Sequence, residues 1–421
     1  MAAEHDEAKR IGAILRHARV LARRSQTEVA TALGYHQSKV SRLEQGKGAE
    51  DLRVLRAVAA ELRIPLHTLG LASPPTARGA DRETTEDMHR RTFLAASVAT
   101  LAVPPPSELL YGELVQSLLP GFAPVASTGE ENLSQLAGRM GRLRALFSAC
   151  DYAALELQLP SLIGDLRSAA AGSSEAIGML AGAYQTSASL LLKRGDHGHA
   201  WLAVGRAMAE AERSGDPVVL ASSVRLHAHL LAREHHAVQA VTLVRHTVDQ
   251  MSGSYDRRSP RHLAVLGMLL LRGVTAAALG GDRGSVQDFL TEAREIAERM
   301  PGSAPDKWSN FSSINVELHA VNASVVLGDA GMALDAARPL MRRHIPVPER
   351  RAALWTDAAR AYSQQGRLAD GFQALRIAES CAAQDVRRPA VRELVADMAA
   401  RDRRRTLPEL HHFARQLGVP A

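Results

Sequence analysis

At 421 residues, 46% apolar and 23% charged, the chain has the make-up of a folded protein with room for a small domain and a large one, which excludes a disordered or collagen-like polymer. Only 4% of residues are aromatic while alanine, leucine and arginine abound, so the expected fold class is all-α. The net charge of +6 is unevenly spread: residues 1–72 hold 12 Lys/Arg against 8 Asp/Glu, an asymmetry that points to a polyanionic partner.

In chain order, a first helix is expected from Ile11, because Ile11, Ile14, Leu15, Ala18, Leu21 and Ala22 recur at helical spacing, with Arg10, Arg16, Arg19 and Arg23 mostly around the other face. Ser25-Gln26-Thr27-Glu28 reads as a capping box: Ser25 accepts from the backbone N–H three residues on, and Glu28 reaches back to the N-cap amide. Helix two carries Val29, Ala30 and Leu33 inward and is expected to stop at Gly34, which can take the left-handed conformation without steric cost. A third helix over Gln37–Glu44 faces Val40 and Leu43 to the core and leaves Gln37, Ser38, Ser41 and Arg42 outside. Leu52 to Leu62 closes a small core as helix four, and Pro65 opens a short fifth helix to Leu71.

Two short helices joined by a turn with glycine are the helix-turn-helix geometry, in which the second helix enters a major groove and presents its N-terminal polar side chains to base edges. SQTEVATALGYHQSKVSRLEQG resembles the helix-turn-helix of the phage repressor/Cro superfamily, the xenobiotic-response-element type, with Gln26, Ala30, Gly34, Val40, Glu44 and Gly46 in that family's register. The resemblance covers residues 8–71 and implies a five-helix, lambda-repressor-like domain that binds double-stranded DNA. It implies further that Gln26 holds a phosphate, that Gln37, Ser38, Ser41 and Arg42 line the groove, that Lys39 is a backbone contact, and that Arg19 and Glu44 form an ion pair. The chain departs from the family at Arg23-Arg24, where an apolar residue and often a glycine are usual, and at His36, where Ser or Thr is preferred.

The Pro/Gly/Ser-flavoured stretch Ala72–Pro75 with Arg78-Gly79 ends the first domain, and Pro104-Pro105-Pro106 marks a second break, so residues 72–106 are expected to be a linker with a connecting helix. Within it, MHRRTFLAASVATLA, Met88 to Ala102, looks like a twin-arginine export signal. Such signals are N-terminal, the apolar run Phe93–Val103 falls short of the about 20 residues that cross a bilayer, and a DNA-binding module precedes it. The reading is therefore a cytoplasmic protein with no membrane association. Cys150 and Cys381 lack any paired or metal-ligand spacing, in keeping with a reducing cytosol.

From residue 107 to 421 a motif returns: apolar helix, Gly-polar turn, second helix with Ala or Leu on one face. Its turns fall at Gly195, Gly281, Gly328 and Gly366, with degenerate copies at Cys150-Asp151-Tyr152 and Arg233-Glu234-His235. A period of roughly forty residues with helix-turn-helix content indicates an α-solenoid of helical hairpins. The units resemble tetratricopeptide repeats, with Ala200, Ala207, Ala333, Ala337 and Ala374 letting helices approach closely. A curved array of this kind offers a concave groove for a peptide or protein.

Other candidates carry less. The histidine pairs His197/His199, His227/His229, His235/His236 and His411/His412 lack the i, i+4 spacing of a helical metal site and read as surface or helix-capping residues. Trp201, Trp308, Trp355 and Tyr184 read as repeat core rather than a ligand groove, and Arg401, Arg403, Arg404 and Arg405 as a solvated helix face. With no phosphate loop, nucleophile elbow or paired-carboxylate motif, no catalytic residue, metal or cofactor is expected. The combined architecture resembles repeat-bearing regulators of Gram-positive bacteria, some of which respond to peptides, and the Ala/Arg-rich composition suggests a GC-rich genome. The expected function is a sequence-specific transcriptional regulator that binds an inverted-repeat operator as a homodimer, with the repeats sensing a peptide, small signal or protein partner. The alternative is a scaffold in which the repeats recruit a protein and DNA contact is secondary.

Overall fold

The computed structural model describes most of residues 11–62, residues 106–119 and 121, and residues 132–419 apart from 255–258 and 301–308. No strand occurs among the described residues. The chain divides into two compact units, Met1–Ala102 and Val103–Ala421, and the division falls inside the segment read as a connector. That connector up to residue 105, including Met88–Ala102, and the expected fifth helix both lie outside the described residues, as does Trp308.

In the first unit, helical residues at 11, 12, 14–16 and 19 form α1, followed by α2 (Gln26–Ala32), α3 (Gln37–Glu44) and α4 (Leu52–Glu61). The core is small and built from the expected periodic positions. Ile11, Leu15, Leu43, Val54, Leu55, Val58 and Ala59 form one cluster and Val29, Ala30 and Val40 a second, with Leu33, Tyr35 and Leu62 packed against both. The capping box at Ser25 is present in both directions: Glu28 N–H donates to Ser25 Oγ at 3.1 Å and Ser25 N–H to Glu28 Oε2 at 2.6 Å. α2 ends at the expected place. Its last helical residue is Ala32 with Leu33 as C-cap, which leaves Gly34, outside the described residues, as the next position in the chain.

The second unit opens with α5 (Pro106–Leu118) and continues as hairpins: α6 (Leu133–Ala149) with α7 (Tyr152–Ala169), α8 (Ser174–Arg194) with α9 (His197–Ser214), α10 (Pro217–Arg233) with α11 (Ala237–Ser254), α12 (Pro260–Leu279) with α13 (Arg283–Arg299), α14 (Ser313–Val326) with α15 (Ala330–Met341), and α16 (Pro348–Gln364) with α17 (Leu368–Cys381). Three further helices follow: α18 (Ala383–Val386), α19 (Pro389–Arg401) and α20 (Pro408–Gln416). Each hairpin turns on a residue in the left-handed region. Gly195, Gly281, Gly328 and Gly366 do so with φ of 74–83°, and the two degenerate copies use Cys150 (φ 60°) and His235 (φ 65°) in the same place. An aspartate often follows and caps the next helix: Asp151, Asp196 and Asp282 accept from the N–H groups of Ala154, His199 and Ser285. A left-handed residue and then a carboxylate end one helix and start the next within two positions.

Small residues set the packing distance. Ala200, Ala207, Ala333, Ala337 and Ala374 are all buried, as expected from their place in the repeat. Gly267 and Gly273 of α12 go further, because the rings of Phe311 and Phe289 lie over them where a side chain would stand. α12 is the most apolar helix; it is long and apolar enough to cross a membrane, yet it lies buried between α10, α11, α13 and α14.

The array also closes on itself. α16 packs against α6, although some two hundred residues separate them in sequence. The N–H groups of Tyr152 and Ala153 donate to Gln384 Oε1 at 3.0 and 3.2 Å, the Tyr152 hydroxyl donates to Asp385 at 2.8 Å, and Lys193 Nζ reaches Glu349 at 2.7 Å and Asp385 at 2.9 Å. Asp385 is fully buried, so these bonds compensate a carboxylate removed from water. The first helices of the six hairpins thereby line one shared cavity, partly open to solvent, in place of an open-ended concave groove.

Candidate nucleic-acid interface

α3 has two chemically distinct sides because its apolar residues sit three apart. Val40 and Leu43 are buried, while Gln37, Ser38, Lys39 and Arg42 are exposed and Ser41 is half-buried. All the outward groups can donate hydrogen bonds, and Arg42 and Gln37 have the planar ends that pair bidentately with guanine and adenine in a major groove. Lys39 places its ammonium 4.4 Å from the centre of the Tyr35 ring, which holds it beside the turn.

A polar relay fixes α3 relative to α1 and α2. Arg19 of α1 grips Glu44 at the end of α3 with two hydrogen bonds of 2.5 and 3.0 Å. The second Glu44 oxygen also accepts from Gln26 Nε2 at 2.7 Å, and Gln26 Oε1 accepts from Gln37 Nε2 at 2.6 Å. The ion pair that the family resemblance implies is thus a physical anchor, and through Gln26 it orients the first outward side chain of α3. Burial alone would raise the Glu44 carboxyl, but the hydrogen bonds from Arg19 and Gln26 and the attraction of Arg19 outweigh it and hold the group below the ordinary carboxylate range. Arg19 is raised in turn, first by its bond to Glu44. Gln26, read from sequence as a phosphate contact, already spends both ends of its amide inside the protein in this state.

Arg24 was legible in sequence only as a departure from the family pattern. Its guanidinium pairs with Glu61 of α4 and donates to the Glu28 carbonyl at 3.2 Å, and its own carbonyl accepts from Arg19 at 2.9 Å. The residue therefore ties α4 to the start of α2, a job that an apolar residue at this place could not do. A basic residue directly before a capping box, with a glutamate ending a later helix, was the available signal.

Among the described residues no group of His, Cys, Asp or Glu is arranged to hold a metal ion. His197 pairs with Glu234 and His199 with Asp196, as surface and cap residues. His411 is different from the expectation: it is buried, with Nε2 3.2 Å from Asp402, because α20 turns it beneath a carboxylate that also caps Thr406 and Leu407. His229 also departs from a surface reading, since its Nδ1 meets Arg272 inside the ring of hairpins. Tyr184 is core, Trp201 is half-buried against the cluster that holds it, and Trp355 is half-buried against a separate cluster that holds Phe372 and Phe413. Arg401 bonds Asp397 and Ser363, and Arg403, Arg404 and Arg405 are exposed.

A family profile described as a helix-turn-helix domain matches residues 10–68. No curated protein matches the chain. The match covers α1 to α4 and includes every residue of the relay and of the outward face of α3. Residues 10–68 are a helix-turn-helix DNA-binding domain, the module of a DNA-binding regulator.

Proposed function

We propose that this protein is a cytoplasmic, sequence-specific transcriptional regulator that acts by binding rather than by catalysis. Two copies read the two halves of an inverted repeat in double-stranded DNA, with α3 in the major groove. The observation that carries the reading is the outward face of α3, where Gln37, Ser38 and Arg42 are exposed on a helix anchored from behind by Glu44. The two-fold site follows from size: one short helix reads too few base pairs for useful specificity, whereas a two-fold protein doubles the site it reads. Gln26 is proposed to exchange its bond to Gln37 for a phosphate when DNA arrives, and Lys39 to add a second backbone contact.

The repeat domain is proposed to mediate dimerisation and to sense a signal. Supporting a sensor over a protein scaffold is the closure of the array, since an interior bounded by six hairpins admits small ligands and excludes a folded partner. Mapping the DNA bound by the full chain, then titrating that DNA in the presence and absence of cell extract, tests the reading. Operator affinity should change with extract from at least one growth condition. Constant affinity across all extracts, together with capture of a stable protein partner by the repeats, would replace it with the scaffold.

A further inference from the structure

The interior of the ring is a cavity of about 340 Å³, at the lower end of the range that small-molecule sites occupy. Its wall carries eight lysines and arginines against two carboxylates, Glu349 and Asp357. Those carboxylates are already engaged. Glu349 accepts from Lys193 and faces Arg350 at 3.3 Å, while Asp357 holds Arg360 at 3.1 Å and Asn322 at 3.0 Å. Asp385, behind the wall, takes Lys193 and lies 3.4 Å from Arg388.

Arg233, an exposed member of the wall, has only the Glu393 carboxylate near it, and two less exposed guanidiniums are left over. Arg225 of α10 has no hydrogen-bond or ion-pair partner among the described residues, and Arg272 of α12 touches only His229, with its Nε buried and unpartnered. The two are close enough to repel each other and Arg350. Enclosure, and then Arg350, push Arg225 down to about 10, and enclosure with Arg225 depresses Arg272 as well. A guanidinium keeps its proton at neutral pH, so these shifts report first the cost of enclosing charge and second the repulsion between neighbouring cations. Histidine does not relieve it: burial holds His229 and His319 neutral, and His319 Nε2 also faces the interior without a partner. Between the cations the wall is mixed: Leu226, Val265, Met268, Leu318 and Leu354 give it an apolar part, beside Gln185, Thr186, Ser189, Ser222 and Asn322.

An enclosed pair of unneutralised arginines is costly unless an anion joins it, and a guanidinium fork matches the two oxygens of a carboxylate or phosphate. We propose that the ring interior binds a small organic anion, its oxyanion held by Arg225 and Arg272 and an apolar part of its body against the leucines, Val265 and Met268 of the wall. Its role as the regulator's signal rests on the function proposed above; the site itself does not.

Calorimetric titration of the full-length protein with three probes of similar apolar body tests the site: 3-phenylpropionate, phenyl phosphate and the neutral 3-phenylpropionamide. Saturable binding of at least one anion and none of the amide is expected. A preference for phenylpropionate identifies an organic acid or a peptide carboxyl terminus as the source, and a preference for phenyl phosphate a phosphorylated metabolite. Arg225→Met and Arg272→Met should each weaken anion binding by roughly ten-fold or more. Both should melt no lower than wild type in the absence of ligand, because each removes a repelling charge. Arg42→Ala should bind the probes as wild type does, which separates the cavity from the DNA face. No saturable binding by either anion, equal binding of the amide, undiminished binding in both methionine variants, or a lower melting temperature in both would overturn the proposal. Failure of binding would leave the DNA-regulator reading standing, whereas binding without a change in operator affinity would remove the sensing role and leave the site.

Discussion

Replacing Glu44 by glutamine should loosen the DNA-binding domain from the inside while leaving its outward chemistry intact. The carboxylate is 5% exposed and its partner Arg19 is 13% exposed, so Glu44→Gln leaves a largely buried guanidinium without its counter-ion. Removing one partner of a buried pair costs about 3–5 kcal/mol. Arg19 keeps its bond to the Arg24 carbonyl, and glutamine can still accept from Gln26, which together bring the expected loss to about 2–4 kcal/mol. Hydrogen exchange on the full-length protein reads this locally. Amides of α2 and α3 should exchange roughly 30- to 700-fold faster, with those of α12 unchanged. The same substitution tests the sign of the pH dependence. A carboxyl held below its unfolded value contributes stability that is complete above about pH 4.3 and is lost as pH falls through its lower folded value. Wild-type protection should therefore drop on acidification below pH 4.3 more steeply than that of Glu44→Gln. A change in protection below about 0.5 kcal/mol at neutral pH, with equal acid dependence in the two proteins, would refute the relay as the anchor of α3.

Arg42→Ala should cost about 1–3 kcal/mol in binding to the preferred DNA and relax one base position, whereas Gln26→Ala should weaken all sequences alike; fluorescence anisotropy against matched and scrambled duplexes distinguishes them. Gly267→Ala forces a methyl group into the space of the Phe311 ring and should destabilise the repeat domain by about 1–3 kcal/mol in urea unfolding, while Gly205→Ala, where nothing stands within 4 Å, should not. Cys150 is buried and its thiol is pushed up to about 12 by burial and by the charge of Asp385, so alkylation of the native protein at pH 8 should label Cys381 and spare Cys150 until denaturant is added.

Much of this was legible in the sequence because it is local. Ser25 and Glu28 are three residues apart, the turn glycines end one helix and begin another, and the period of roughly forty residues marks the hairpins. Even the irregular turns could be located, although nothing in Cys150 or His235 as residue types announces a left-handed backbone. Ring closure was not legible, because the rotation from one hairpin to the next is set by the summed fit of side chains, and the contacts that close the ring join Tyr152 to Asp385 and Lys193 to Glu349. The cationic interior was hidden for another reason. Arg225 on an amphipathic helix looks like any solvated arginine, and only Arg272, alone in the apolar run of α12, gave a sign of its unusual place. His411 escaped because burial of a histidine depends on a carboxylate nine residues earlier folding back over it.

Selection from a pool of random DNA duplexes by the full-length protein tests the central claim most directly. Enrichment of a single inverted-repeat motif by the wild-type chain, with altered or lost preference within the half-site for Arg42→Ala, is the predicted result. Recovery of no shared motif, or of the same motif by Arg42→Ala with equal enrichment, would contradict the assignment of α3 as the helix that reads DNA.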